Sequence, residues 1–193
     1  MDIDRTRAAV LSVDMQAGVV SVYVKDGGLV ARAAEILRTA RQAGVRVVHV
    51  KVAFRPGMPE ASPRNTFLSA VKASAPHQRF FQGDSGAIDP RLAPGGDDLV
   101  VTKSRINAFA GTDLDQLLRA HDIHTLVVFG IATSGAVLST VLHAADADYR
   151  VVIVEDCCAD LDEAVHACLV QTILPRHATI ASAGDVVQAL THA

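Results

Sequence analysis

The chain alternates short, nearly unbroken apolar runs with longer segments of helical period, and this alternation constrains the fold more than any other feature. Ala8 to Val13 is apolar at almost every position and stops at Asp14. Such a run reads as a strand buried on both faces. From Leu29 the pattern changes: Val30, Ala33, Ala34 and Leu37 recur at helical spacing, and Gly44 offers a left-handed cap. Val45 to Val52 is a second buried strand. Asp98–Thr102, Thr125–Phe129, Arg150–Glu155 and a short Ala178–Ala181 continue the series. Helices are expected from Thr112, from near Ser134, from the Asp160/Glu163 capping pattern and from Gly184. Strands buried on both faces and alternating with helices form a parallel sheet covered on both sides, an α/β and doubly wound fold.

Composition supports this reading. Half of the 193 residues are hydrophobic, 20% are charged and the net charge is -3, which excludes a disordered chain and argues against a nucleic-acid binder. No run approaches the ~20 apolar residues that a bilayer demands, so no membrane partner is expected. The three cysteines, two of them adjacent, do not form a disulfide framework and fit reduced thiols in a cytoplasmic protein. One domain spanning 1–193 is expected. The segment from Phe54 to Pro94 is irregular, holds six of the seven prolines, and has room for one short helix at Asn65–Ser74. Excursions of this kind shape sites rather than cores.

In doubly wound sheets, ligands sit beyond the carboxyl ends of the strands. That rule selects Asp14 and Gln16, Phe54 and Arg55, Lys103 and Arg105, Ala132 to Ala136, and Asp156 to Cys158. Asp14 suits a general acid or base, or a cap for the next loop. Lys103 suits a solvated rim charge, or a partner that keeps Asp14 charged and oriented. The Gly130–Val137 segment turns a strand into a helix, whose first amides favour a developing negative charge; a plain turn explains the same residues. Gly83-Asp84-Ser85-Gly86 matches a protease serine motif, but that motif belongs to β-barrels. No Cys/His set has zinc spacing, and no glycine-rich phosphate loop follows the first strand.

Three blocks, Val13-Asp-Met-Gln16, Thr102-Lys-Ser-Arg-Ile-Asn-Ala-Phe-Ala-Gly-Thr-Asp-Leu114 and Gly130-Ile-Ala-Thr-Ser-Gly-Ala-Val-Leu-Ser-Thr140, together resemble the isochorismatase-like hydrolases. Val154-Glu-Asp-Cys-Cys-Ala-Asp160 extends the resemblance over nearly the whole chain. It implies a Rossmann-like three-layer sandwich with a mostly parallel six-stranded sheet, a small-molecule amide, carbonyl or vinyl-ether substrate, no cofactor and a homo-oligomer. It also implies catalytic roles for Asp14 and Lys103. A cis bond at Ile131-Ala132 and an oxyanion turn through Ala132, Thr133, Ser134 and Gly135 would accompany them. Gln16, Arg55, Arg105 and Phe109 are the substrate-contact candidates, the arginines through a substrate carboxylate. The metal-binding variants carry Asp-x-His after the second strand, where this chain has Ala53-Phe54-Arg55, so no metal is expected.

The chain departs from the family at one place. The nucleophilic cysteine position is Ala136, whose methyl group cannot form an acyl intermediate. Three readings follow: an engineered Cys-to-Ala amidase, a thiol-free branch, or a non-catalytic ligand-binding protein or scaffold. The thiol-free branch would act on a vinyl ether with the acid as proton donor. Ser134, Ser139, Cys157 and Cys158 are the nearby alternatives to the missing thiol.

Overall fold

A computed structural model describes residues 1–25 and 27–192. The six strands are β1 (Ala8–Val13), β2 (Arg46–Val52), β3 (Leu99–Lys103), β4 (Thr125–Gly130), β5 (Arg150–Val154) and β6 (Thr179–Ala181). They form one sheet in the order β3-β2-β1-β4-β5-β6, and every neighbouring pair is parallel. The sheet is thus wholly rather than mostly parallel. β1 and β4 at its centre are buried at every position, which is why their sequence shows no alternation. The edge strand β3 does alternate, with Val100 and Thr102 exposed and Val101 and Lys103 buried.

The helices are α1 (Ala17–Tyr23), α2 (Leu29–Gln42), α3 (Thr66–Ala73), α4 (Ala75–Arg79), α5 (Leu114–Ala120), α6 (Leu138–Asp146), α7 (Glu163–Cys168) and α8 (Ala183–His192). The β1–α2–β2 and β4–α6–β5 crossovers leave the sheet centre in opposite directions. Right-handed connections therefore place α2 and α6 on opposite faces, and α8 packs against α2. This arrangement creates the switch point between β1 and β4, the position where such sheets bind ligands.

Several local expectations are corrected. Asp113 caps α5, while Thr112 accepts from the Leu114 amide at 3.3 Å and donates to the Ala108 carbonyl at 2.7 Å. Asp162, not Asp160, caps α7, accepting from the amides of Ala164 and Val165. At α7 the residue nearer the helix takes the amides, whereas at α5 Asp113 holds the cap position and the hydroxyl of Thr112 takes the amide. α1 and α4 have no sequence counterpart above; α1 is seven residues of Ala-Gly-Val-Val-Ser-Val-Tyr, whose valines favour strand over helix. Gly130 is dictated by close approach: a Cβ there would lie 2.0 Å from the Val13 carbonyl oxygen, in a backbone with φ +147.

Candidate active site

β1 and β3 end at the same edge of the sheet, two strands apart. Their last side chains meet across β2. Lys103 Nζ lies 2.7 Å from Asp14 Oδ2 and donates also to the carbonyls of Arg105 at 3.1 Å and Ile106 at 2.6 Å. The ammonium's three protons therefore match three acceptors. Lys103 is fully buried, a state a lysine tolerates only when so paired. Asp14 sits just past β1 at φ +54, while its amide still donates to the Val50 carbonyl at 2.8 Å. The left-handed backbone turns its carboxyl away from the ladder and into a cavity.

The carboxylate is not held low by its neighbour. Burial pushes the Asp14 acid up to about 6, outweighing the attraction of Lys103, which acts the other way. The ammonium still orients the carboxyl through Oδ2 and lowers its titration, but burial has the larger effect. With Oδ2 occupied by the ammonium, Oδ1 has no partner among the described residues. It is the oxygen left to carry or deliver a proton.

The third component is the turn after β4. The Ile131-Ala132 peptide is cis, and residues Thr133–Val137 make one π-helical turn leading into α6. Two side chains brace it from the 159–166 segment. The Ser134 amide donates to Asp160 Oδ2 at 2.7 Å, and Thr133 Oγ1 lies 2.8 Å from His166 Nδ1. Asp160, read from the sequence as a cap, serves here instead. The turn's own amides are largely spent: Thr133 on the Ala159 carbonyl, Ser134 on Asp160, Gly135 on the Ala132 carbonyl. Those three amides already have acceptors within the protein. The Ala132 amide has no such bond among the described residues. Ala136 lines the cavity, and its methyl lies where the resemblance places a thiol.

Among the described residues no other nucleophile takes that place. Cys157 and Cys158 are buried and do not line the cavity; burial raises both thiols, Cys158 to about 12, so neither is a thiolate. Ser139 Oγ donates to the Ala136 carbonyl at 3.4 Å. Ser134 lines the cavity, and the Asp160 carboxylate beside it is engaged by the Ser134 amide, with no hydrogen bond to its hydroxyl among those of the described residues.

Of the four substrate-contact candidates, only Arg105 lines the cavity. Its guanidinium donates to the Ser104 carbonyl at 2.7 Å and has no acidic partner among the described residues. Gln16 is fully buried and acts as a rung between segments: its Nε2 donates to the carbonyls of Val52 at 3.0 Å and Gly86 at 2.8 Å, and its Oε1 accepts from the Val52 amide at 2.7 Å. Arg55 pairs with Glu60 at 2.7 Å on the exterior. Phe109 is buried and stacks on His143, with ring centroids 4.5 Å apart.

The cavity, about 660 Å³, has walls that no motif predicted. The chain holds six Phe and two Tyr. Phe54, Phe67, Phe80, Phe81 and Tyr23 all line this one space. The available signal was the crowding of four of the six phenylalanines into positions 54–81 of an otherwise irregular segment.

An isochorismatase domain model matches residues 8–185. The chain belongs to the isochorismatase family of hydrolases. An isochorismatase family protein from Burkholderia thailandensis is 31% identical, with a TM-score of 0.87 and 98% of each chain covered. A phenazine biosynthesis protein of Pseudomonas aeruginosa is 29% identical over 188 residues, covering 96% of this chain and 87% of that one. A maleamate amidohydrolase of Pseudomonas putida is 26% identical over 163 residues, covering 84% and 75% respectively. The fold described above is shared with the Burkholderia thailandensis structure over nearly its whole length.

Proposed function

We propose that this hydrolase cleaves a vinyl ether by direct proton transfer from Asp14, with water as the nucleophile and no acyl-enzyme. The observation that carries the reading is a buried acid, raised to about 6, with one oxygen unpartnered beside a methyl group at Ala136. An acid near neutrality is suited to donate a proton. The proton on Oδ1 passes to the outer alkene carbon, and the alkene electron pair forms the new C–H bond. Positive charge then spreads over the inner carbon and the ether oxygen. Water adds to that carbon and returns a proton to the Asp14 carboxylate. The hemiketal hydroxyl then gives up its proton, the departing ether oxygen takes one, and the C–O bond breaks to give an alcohol and a carbonyl compound. Lys103 is the positioning partner, since its bond to Oδ2 directs the mobile proton to Oδ1. Arg105 supplies a cation for a substrate carboxylate.

A second reading rests on the maleamate amidohydrolase relative. With a thiol at position 136, the Ala132 amide and that of residue 136 would face a tetrahedral oxyanion, and the site would serve amides. One experiment separates the two. Wild type and Ala136→Cys are each assayed on carboxylated vinyl ethers and primary amides. Vinyl-ether turnover by wild type, lost in Asp14→Asn, supports the first reading. Amide turnover confined to Ala136→Cys transfers support to the second. Turnover by neither protein leaves the chain as a ligand-binding member of the fold.

A further inference from the structure

Among the described residues, seven large hydrophobic side chains are exposed: Met1, Val22, Phe67, Val100, Ile106, Leu161 and Val165. Four of them, Val22, Phe67, Ile106 and Leu161, line the cavity that Asp14 floors. They come from four separate segments: α1, α3, the loop after β3, and the residues before α7. Scattered exposed apolar residues need no explanation, but convergence of four segments on one opening does. Phe67 is 54% exposed while its neighbour Leu68 is buried, so the fold does not require a phenyl ring there. Beneath this rim, Phe54 and Phe81 meet edge to face with centroids 5.6 Å apart. They rest on a small apolar cluster of Met58, Ala61, Leu68 and Val71, separate from the main core. The rings are therefore held in place from behind and open toward the cavity. Ile106 also lies close to the catalytic turn, with its Cγ2 3.9 Å from where a Cβ on Gly135 would stand. Rim and reacting groups belong to one continuous space.

We propose that this space takes an uncharged apolar arm of the substrate, aromatic or branched aliphatic, that reaches from the reacting bond past Phe54 and Phe81 to Phe67 and Leu161. The inference rests on the reading that Asp14 floors the reaction site, and it adds the substrate's second half. A cavity of this size lies within the ~300–1,000 Å³ of small-molecule sites. Arg105, two residues after Lys103, lines it without an acidic partner among the described residues; the other basic side chain on the lining apart from Lys103 is His77 beside Phe80, and the rest of that wall is apolar. A short, wholly polar acid would use the floor and leave the aromatic wall wet. An apolar arm would remove both surfaces from water.

The test uses binding rather than turnover. Benzyloxyacetate and methoxyacetate each carry a carboxylate and an ether oxygen, lack the alkene, and differ in the apolar arm. Calorimetric titration of the full chain should find benzyloxyacetate about 10- to 100-fold tighter, the fold-change of burying one large apolar group. Phe67→Asp and Leu161→Asp, on separate segments, should each abolish most of that preference, read as the ratio of the two affinities because the added charge repels both carboxylates. Equal affinity for the two ethers overturns the inference. So does a preference that survives both substitutions, or a wild-type dimer that Phe67→Asp makes monomeric with ligand affinity unchanged, which would assign the rim to a second copy. A benzyl preference without any turnover of vinyl ethers would sustain the pocket assignment and sink the proposed reaction instead.

Discussion

The floor and the wall of the cavity are built in different ways. The floor is made of strand ends: Asp14, Lys103 and the turn after β4 are placed by a parallel ladder whose central strands are fully buried. Its position cannot shift without breaking sheet register. The wall comes from α1 and the 54–81 excursion, supported by a four-residue satellite cluster. It can vary in side chain without disturbing the sheet. The difference separates chemistry, fixed by the sheet, from selectivity, carried by a replaceable segment.

Substitutions should reproduce that separation. The largest effect belongs to the floor. Asp14→Asn keeps the shape but removes the mobile proton, and vinyl-ether kcat/KM should fall by ~10²–10⁴-fold, the range for a positioned acid. Single-turnover assays check it, and a loss below tenfold would detach Asp14 from the reaction. Lys103→Met comes next. It leaves the Asp14 carboxyl and two carbonyls without their buried donor, which should destabilise the fold by ~3–5 kcal/mol. Denaturant unfolding reads that loss. The acid should also titrate higher, because the ammonium is what lowers it. An unchanged midpoint would mean that the pair contributes nothing to the fold.

Gln16→Leu is a smaller and more diagnostic change. It orphans the buried Val52 amide, at ~1–3 kcal/mol, and takes one donor each from the carbonyls of Val52 and Gly86. The melting temperature should drop while methoxyacetate affinity stays the same; an affinity change without a stability change would return Gln16 to the substrate. Arg55→Ala, at the outer face, should alter stability by under ~1 kcal/mol, as exposed ion pairs do.

These four residues also mark what could be read from sequence. Asp14 and Lys103 were legible because each ends a run whose unbroken apolar character fixes it at a strand's carboxyl end. β1, β2 and β4 were legible for the same reason. Gln16 was not, because a side-chain amide that replaces a backbone rung looks identical in sequence to one facing a ligand. Arg55 was misplaced because its partner, Glu60, lies across a loop with no periodicity. Phe109 was misplaced because its stacking on His143 joins segments distant in the chain. Of the aromatic wall, Phe54 and the site-shaping role of its segment were legible, but Tyr23, Phe67, Phe80 and Phe81 were not. These four lie on helices of five to eight residues and the loops between them, too short for hydrophobic period to show.

The central claim is that Asp14 acts as the acid. The pH dependence of kcat/KM on a carboxylated vinyl ether tests it most directly. Because burial raises the acid to about 6, the protonated form is available below that value and lost above it. Activity should therefore fall as pH rises through about 6, and Lys103→Met should move that limb upward if it folds. A profile that instead rises through 6 would make Asp14 a base and contradict the account.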